Sequence, residues 1–310
     1  MYRIYRPKKF TEVSGQDHVT KTLENMIKTG NISHAYLFCG TRGTGKTSVA
    51  RIFAKQLINN DFNIFEIDAA SNNRVEDVRD LIEKVKYPPI NSKYKIYIID
   101  EVHMFSQSAF NAFLKTLEEP PSHVIFILCT TEPHKLLPTV QSRCIRFDFR
   151  NVASAEIEKI FVKIFKAENI TAEPEAIKLI AEVGAGSVRD ALSFADMVRA
   201  YSGGQITKQK VQEVLGSVDE EVFKNLLTAI CDKNVKSITN NVEKIFSVGR
   251  NASAVVKDFL NIIKNEFINN QQKKLMEIYG IFAEVELNIK TALDAKNMFE
   301  GACLQCLTHL

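Results

Sequence analysis

Four short apolar runs occur in the first half of the chain, and segments with helical periodicity lie between them. The runs are AYLFCG (35–40), NIFEID (63–68), KIYIID (95–100) and VIFILCTT (124–131). Each is almost continuously hydrophobic, as expected of strands that are buried on both faces. Strands that alternate with helices are typical of a parallel sheet flanked by helices, so the pattern predicts an α/β fold.

One segment between the runs carries a clear helical stripe. In AFNAFLKTLEEPP, the residues Phe110, Phe113, Leu114 and Leu117 recur at the i, i+3, i+4, i+7 spacing that places them on one face of a helix. The two prolines that close this stretch are expected to end the helix.

After about residue 150 the strand-like runs end, and the pattern predicts helices only. Ser187, followed three residues later by Asp190, resembles a capping box and predicts the start of a helix. We therefore expect three domains: an α/β domain over residues 1–152, a small helical domain over 153–216 and an all-helical domain over 217–310.

The composition, with 45% hydrophobic and 25% charged residues, is ordinary for a soluble globular protein. No apolar run approaches the roughly 20 residues that span a bilayer, and the basic N-terminus lacks the apolar core of a signal peptide. We therefore expect a cytoplasmic protein that does not contact a membrane. Residues 1–60 carry ten Lys or Arg against three acids. This excess indicates either a surface that meets a polyanion or the solvated face of a phosphate-binding domain.

Six cysteines are scattered along the chain, and only Cys303 and Cys306 form a C-x-x-C pair. A tetrahedral zinc site needs four ligands, and His309 would add only a third. The pair is therefore expected to be two buried thiols on one helix face.

A glycine-rich loop carries the first chemical signal. The stretch GTRGTGKT fits the pattern G-x-x-x-x-G-K-[ST] between a predicted strand and a predicted helix. Glycines let such a loop curl so that its N–H groups face phosphate oxygens. We expect Lys46 to bind the β and γ phosphates of a nucleotide, and Thr47 to help hold Mg²⁺. The candidate binding loop comprises Gly40, Thr41, Arg42, Gly43, Thr44, Gly45, Lys46 and Thr47.

The third apolar run ends in one carboxylate, Asp100, and a second, Glu101, follows it directly. Asp100 is expected to bind Mg²⁺, and Glu101 to activate a water for attack on the γ-phosphate. Thr131 is the last residue of the fourth run, and its hydroxyl is expected to contact the γ-phosphate or that water. Because parallel strands end at one crevice, Gly40, Asp68, Asp100 and Thr131 should lie along one edge of the sheet.

Two arginines complete the candidate chemistry. Arg143 lies in QSRCIRF, near the end of the α/β domain, and Arg189 starts a predicted helix in the next domain. An arginine at a phosphoryl-transfer site stabilises charge in the transition state and can come from a neighbouring subunit. From the residues alone, both arginines are equally well explained as surface ion-pair residues.

Several stretches, in this order, resemble one family: YRPKKFTEVSGQDHV, GTRGTGKTSVARIFAK, EIDAASNNRVEDVRDLIEKVKYPP, YIIDEVHMFSQSAFNAFLKTLEEPP, TTEPHKLLPTVQSRC and GSVRDALS. Together they are similar to the gamma/tau subunits of bacterial DNA polymerase III, the ATPase subunits of the sliding-clamp loader. The stretch DAASNNRVEDVRDL separates this family from the eukaryotic and archaeal small subunits. The resemblance is close over about residues 1–195.

The resemblance implies an AAA+ P-loop ATPase with a RecA-like domain, a helical lid and a helical collar. The loop from Gly40 to Thr47 would be the Walker A loop, and Asp100 and Glu101 would be Walker B. The implied cofactors are ATP and Mg²⁺.

Further residues take roles only through the resemblance. Thr131 would be sensor 1, and Arg189 would be sensor 2, reaching ATP from the lid. Arg143 would be an arginine finger that acts on the ATP of the adjacent subunit. The adenine would lie near three N-terminal residues, Arg6, Pro7 and Val13.

The implied function is that of a motor. ATP binding would assemble a state that opens the clamp and grips primer–template DNA without sequence specificity, and hydrolysis would release both. The expected partners are the other subunits of a heteropentamer joined through the collar, the sliding clamp and DNA. Basic residues near Arg74 and Arg79, or near Lys93 and Lys95, either contact DNA or are merely solvated.

The sequence departs from the family pattern in one respect. Family members usually insert a zinc module with four cysteines after the Walker A helix, whereas RIFAKQLINNDFNIFEID passes directly from helix to strand. We therefore expect no zinc. The collar over 217–310 is short for the family, and the long tail of the tau form, with its polymerase and helicase contacts, is not carried over.

Two other functions remain open. A branch-migration motor or helicase loader would replace the collar with a DNA-binding winged helix, but the last third of the chain has no β-hairpin signal. A non-hydrolysing structural subunit should lack Lys46 or Glu101, and both are present.

Overall fold

The computed structural model describes residues 1–2, 4–58, 61–216, 220–247 and 251–309. The chain divides into two compact units, Met1–Thr207 and Lys208–Leu310. The finer division into three domains, with boundaries after residues 152 and 216, stays a prediction.

Five parallel strands form the centre of the first unit. They are β1 (Ala35–Cys39), β2 (Ile64–Asp68), β3 (Lys95–Asp100), β4 (Val124–Thr130) and β5 (Ile145–Asp148). Their order across the sheet is β2-β3-β4-β1-β5, and each neighbouring pair is parallel. The first four strands match the four predicted runs, so the predicted parallel-sheet architecture is confirmed.

Helices surround this sheet and continue beyond it. The helices of the first unit are α1 (Asp17–Thr29), α2 (Lys46–Leu57), α3 (Val75–Lys86), α4 (Gln107–Glu118), α5 (Pro138–Gln141), α6 (Ser154–Ala167), α7 (Pro174–Val183) and α8 (Val188–Ser202). Short 3-10 turns occur at Phe10–Glu12, Asp61–Asn63, Val102–Met104 and Pro133–Lys135.

The two faces of the sheet bury alternate residues of each central strand. On β1, Tyr36 and Phe38 pack with α1 and α2, whereas Leu37 joins the cluster that contains residues of α3 and α4. This alternation follows from the two-residue period of a strand. Because both faces are covered, all residues of β1 and β4 are buried, which explains why these strands appear as continuous apolar runs.

The edge strands differ from the predicted pattern. The apolar pattern does not predict β5, in which only Phe147 is buried. The second predicted run is not buried on both faces, since β2 is an edge strand with Phe65, Glu66 and Asp68 exposed. Edge strands have fewer neighbours to cover them, so their sequences carry a weaker apolar signal than central strands.

The prediction of helices only after residue 150 is wrong in one detail. Two short parallel strands, β6 (Thr171–Ala172) and β7 (Gln205–Ile206), pair beside the helices of this region. Strands of two residues are too short to carry a periodic pattern, so sequence periodicity does not reveal them.

Two predicted helix signals are confirmed. Helix α4 buries Phe110, Phe113 and Leu117 as one stripe and ends before the two prolines. Ser187 caps α8, because its Oγ accepts a hydrogen bond from the Asp190 backbone N–H at 3.2 Å.

The described part of the second unit is entirely helical. It contains α9 (Lys208–Leu215), α10 (Glu220–Cys231), α11 (Val235–Ser247), α12 (Ala252–Asn270), α13 (Lys273–Asn288) and α14 (Ala295–His309). Phe259 lies at the centre of its core, with ring centroids 5.9 Å from Phe223, 4.7 Å from Phe282 and 5.7 Å from Phe299. Within the described ranges, no helix is both long enough and apolar enough to cross a membrane.

We expect Phe259→Ala to destabilise the second unit by about 3–5 kcal/mol, because it removes a ring that three other aromatic rings surround. Hydrogen exchange of α12 and α13, followed by mass spectrometry, should show faster exchange of their amide protons. Leu287→Ala, at an 80% exposed position on α13, should leave exchange unchanged. Equal protection in Phe259→Ala and wild type would contradict this description of the core.

Candidate functional site

The carboxyl ends of the parallel strands meet at one edge of the sheet. Asp68 at the end of β2 is in register with Asp100 at the end of β3. Gly40 follows β1 and donates its backbone N–H to the carbonyl of Thr130, at the end of β4. Residues that lie far apart in sequence are thus brought together at this edge, because every strand of the sheet runs in the same direction.

The loop after β1 has a backbone that requires glycine at three positions. Gly40, Gly43 and Gly45 have φ angles of +149°, +79° and +105°, in a region that residues with a Cβ rarely adopt. A Cβ on Gly43 would lie 2.0 Å from the Ser187 Oγ, so the loop contacts the start of α8 directly. The close approach of loop and helix depends on the absence of a side chain.

Lys46 is buried at the first position of α2, with 5% of its surface exposed. Its Nζ donates to the carbonyls of Gly40 (2.8 Å) and Thr41 (2.9 Å). Burial lowers the pKa of this ammonium group, and the nearby Glu101 opposes the shift. Within the described residues, no carboxylate lies within ion-pair distance of this ammonium. A buried cation that is held only by carbonyls fits a polyphosphate partner.

Thr47 and Asp100 lie side by side. The Thr47 hydroxyl donates to the Asp100 Oδ2 at 2.8 Å. A hydroxyl and a carboxylate oxygen are hard oxygen donors of the kind that Mg²⁺ prefers, and Mg²⁺ usually keeps several waters beside such a pair. The donor set therefore fits Mg²⁺.

Glu101 and Thr131 contact each other across the ends of β3 and β4. The Thr131 Oγ1 donates to the Glu101 Oε2 at 3.0 Å, and the Thr131 N–H lies 3.3 Å from the same oxygen. Glu101 lines the large cavity of this unit, whereas Thr131 does not. In this structure Thr131 therefore contacts the predicted base and does not reach the cavity itself.

The cavity has a volume of about 590 Å³. Several parts of the first unit form its wall: the N-terminal segment, the glycine-rich loop with the start of α2, the end of β3, α6 and the start of α8. The lining includes Arg6, Pro7, Val13, Arg42, Gly43, Thr44, Gly45, Lys46, Thr47, Asp100, Glu101 and Arg189. Gly40 and Thr41 start the loop but do not line the cavity, and Asp68 lies at the edge of the sheet outside it.

Arginines at the wall make the cavity basic. The Arg6 Nε donates to the Ser48 Oγ at 3.0 Å, and burial together with the neighbouring Arg51 lowers the pKa of its guanidinium. The Arg189 guanidinium lies 5.3 Å from the centre of the Tyr2 ring. A wall with this charge favours an anionic ligand.

Arg143 lies away from this cavity. Its Nη2 pairs with the Glu118 Oε1 at 2.6 Å, and its Nη1 donates to the Thr139 carbonyl at 2.7 Å. The structure therefore does not bring Arg143 to the cavity of its own chain. This position leaves open the predicted role on a neighbouring subunit.

Of the four suggested DNA contacts, Lys95 is excluded by its burial. It is 8% exposed, and its Nζ donates to the carbonyls of Lys84 (2.6 Å) and Tyr87 (3.3 Å). Arg74, Arg79 and Lys93 are exposed. For these three residues, contact with DNA stays a prediction, and a solvated position on the surface is the alternative.

The cysteine pair is buried in the core of the second unit. Cys303 and Cys306 are fully buried, as expected, and burial raises the pKa of Cys306 to about 12. In the part of the chain that the structure describes, no group of three or more His, Cys, Asp or Glu side chains could hold a metal ion. The absence of zinc stays a prediction.

Gln16 is a residue of this site that sequence reasoning missed. Its side chain is fully buried, and its Nε2 donates to the carbonyls of Arg150 (2.7 Å) and Thr44 (3.4 Å), while its Oε1 accepts from the Arg150 N–H at 3.1 Å. It thus connects the glycine-rich loop to the segment that leads from β5 into α6. The local pattern SGQD gave no sign of this, because only the folded chain brings residues 44 and 150 together.

Family models match most of the chain. The model described as "DNA polymerase III, delta subunit" matches residues 15–73 and 59–153. "DNA polymerase III clamp loader subunit, ATPase lid domain" matches 156–204, and "DNA polymerase III subunits gamma and tau domain III" matches 206–281.

Curated relatives agree with these matches. DNA polymerase III subunit tau of Bacillus subtilis (strain 168) is 42% identical over 281 residues, which cover 84% of this chain and 50% of the relative. DNA polymerase III subunit gamma of Buchnera aphidicola subsp. Acyrthosiphon pisum (strain APS) is 35% identical over 330 residues, which cover 99% of this chain and 91% of the relative. The chain belongs to the DNA polymerase III gamma/tau family.

Lengths differ within the gamma/tau family. This chain spans about half the length of the curated tau relatives that it matches. The alignment with the Buchnera gamma subunit runs over 330 residues, more than the 310 of this chain, so that relative carries residues within the aligned range that this gamma/tau chain lacks.

Solved structures share the fold. The Thermotoga maritima RuvB Holliday junction branch migration motor superimposes with a TM-score of 0.58 at 22% identity, covering 83% of this chain and 90% of that one. At this identity the likeness shows the fold alone. The predicted AAA+ fold of this gamma/tau chain, with a lid and an all-helical C-terminal domain, is confirmed.

We expect Gln16→Glu to destabilise the first unit by about 1–3 kcal/mol, since the variant keeps the acceptor for the Arg150 N–H but leaves the carbonyls of Thr44 and Arg150 without the donor that Gln16 supplies. The midpoint of thermal unfolding should fall, and amide exchange in residues 149–152 should accelerate. Gln56→Glu, the same change at an exposed position on α2, serves as the control. Equal stability of the two variants would show that the Gln16 contacts contribute nothing.

Proposed function

We propose that this chain is an ATP-hydrolysing motor subunit of the bacterial clamp loader. The observation that carries the proposal is the basic cavity in which Lys46, Thr47, Asp100, Glu101 and Arg189 meet, in a chain of the gamma/tau family. The volume of about 590 Å³ lies within the usual range of small-molecule sites and would accommodate a nucleotide.

Each residue has a role that its surroundings support. The N–H groups of the glycine-rich loop and the Lys46 ammonium would bind the phosphates. Thr47 and Asp100 would hold Mg²⁺, which, when bound, neutralises charge on the β and γ phosphate oxygens. Arg6, Pro7 and Val13 would contact the base, and Arg189 would reach the phosphates from α8.

Glu101 would act as the general base. Its Oε2 accepts from Thr131, so the orientation of the carboxylate is fixed while the group still lines the cavity. A carboxylate in this position can orient a water and take its proton as the water attacks the γ-phosphate. Thr131 would thus assist hydrolysis by holding the base.

Arg143 would complete the site of a neighbouring subunit. Its place outside the cavity of its own chain supports a role in trans. We further propose that the C-terminal region over 217–310 joins the subunits. Sliding clamp and primer–template DNA would be the partners of the assembly, which would work in the cytoplasm without a membrane. Under this proposal the chain holds no zinc.

The activity test uses the chain assembled with its partner loader subunits. ATP hydrolysis is measured alone, with sliding clamp, with primed DNA and with both. We expect strong stimulation only when clamp and primed DNA are both present. Glu101→Gln should lower kcat by about 100-fold or more, because it removes the base. A rate of ATP hydrolysis that does not change when the clamp is added would refute the clamp-loader function. The chain would then be a P-loop ATPase of another kind.

The role of Arg143 in trans has its own test. Arg143→Ala should lower kcat by a factor on the order of 10³, whereas Arg146→Ala, an exposed arginine that pairs with Asp148, should retain wild-type activity. Assemblies that contain both Arg143→Ala and Lys46→Ala subunits should recover part of the activity, because one subunit supplies the arginine and the other binds ATP. No recovery would mean that Arg143 does not act across an interface.

A further inference from the structure

His103 lies directly behind the proposed base. It belongs to the 3-10 turn Val102–Met104, which follows Glu101 and β3. Its side chain is only 6% exposed, and it does not line the cavity. A buried imidazole beside a candidate catalytic carboxylate needs partners, since an unpaired buried polar group is costly.

Both ring nitrogens of His103 have partners. Nδ1 lies 3.0 Å from the Thr130 Oγ1, and Nε2 lies 3.2 Å from the Glu132 Oε2. The Thr130 Oγ1 also accepts the backbone N–H of Glu132 at 3.0 Å. These contacts fix the plane and the tilt of the ring.

Glu132 is itself held in place. Lys135 donates to its Oε2 at 2.9 Å, and this hydrogen bond lowers the pKa of Glu132. Gln141 donates to the carbonyls of Pro133 and Leu136, at 3.0 and 3.1 Å, and so connects this loop to α5. Hydrogen bonds within this loop and to α5 therefore hold Glu132 where it contacts His103.

The fixed ring contacts the base. His103 Nδ1 lies 3.5 Å from the Glu101 Oε2, the same oxygen that accepts from Thr131. Among the described residues, the Glu101 Oε1 makes no hydrogen bond, so this oxygen is the one available to a water. Thr131 holds one oxygen of the carboxylate by a hydrogen bond, and the His103 ring packs against that same oxygen, so the other oxygen is left for chemistry.

We propose that His103 is a positioning residue for the Glu101 carboxylate, held in its own orientation by Thr130 and Glu132. The inference rests on the proposed ATPase function. The ring limits the rotamers that Glu101 can adopt, and a misplaced base is costly because small displacements of catalytic groups reduce rates strongly. The contact also connects Glu101, through Glu132 and α5, to the segment that carries Arg143.

Two variants distinguish the contributions of the two ring nitrogens of His103. His103→Gln keeps an amide near the Nε2 position and loses the group that bonds to Thr130 and faces Glu101. His103→Asn keeps an amide near Nδ1 and loses the contact with Glu132. We expect His103→Gln to lower kcat of the assembled loader, with clamp and primed DNA, by about tenfold or more. His103→Asn should retain an intermediate rate.

Nucleotide binding provides the second readout. Affinity for a fluorescent ATP analogue and the KM for ATP should stay within about twofold of wild type in both variants, because His103 does not line the cavity. His134→Gln is the matched control: its ring is 74% exposed, and its Nε2 lies 3.9 Å from the Glu132 Oε1. This control should behave as wild type.

A double variant tests whether His103 acts through Glu101. If it does, Glu101→Gln combined with His103→Gln should be no slower than Glu101→Gln alone. A further loss in the double variant, a wild-type kcat in His103→Gln, or a fall in ATP affinity that parallels the fall in kcat would each overturn the proposal. A wild-type chain that fails to hydrolyse ATP with its partners would instead refute the proposed function itself.

Discussion

The common direction of the five strands is the constraint on which the rest of this structure depends. Because all neighbouring pairs are parallel, the ends of β1, β3 and β4 lie at one edge. The glycine-rich loop, the Asp100–Glu101 pair and Thr131 are therefore neighbours, although they lie far apart in sequence. An antiparallel pairing of any central strand would send one of these groups to the opposite edge.

The second feature of the site is the close packing around its loop. Gly43 approaches Ser187 so closely that no side chain fits between them, and the buried Gln16 connects the same loop to the start of α6 through Arg150. A loop held in this way keeps one conformation without a ligand. The first residues of α8 line the same cavity as the loop, so a ligand there would contact both.

The polar network behind Glu101 extends this order away from the cavity. Thr131 and His103 converge on one oxygen of the carboxylate, and the ring of His103 is held by residues on the loop after β4. Backbone geometry contributes as well, since Glu101 itself has a left-handed φ of +48°. Such a conformation is uncommon for a residue with a side chain and is typical of functional sites.

The sequence by itself determined the central strands, helix α4, the cap of α8 and the glycine-rich loop. These features depend on local chemistry: continuous burial makes a strand uniformly apolar, and a curled loop requires glycine. The order of motifs was sufficient to predict the family. Only the tertiary structure decided the edge strand β5, the burial of Lys95, the role of Gln16 and the partners of His103. Each of these depends on contacts between distant segments, and no local pattern encodes which distant residue will lie beside another.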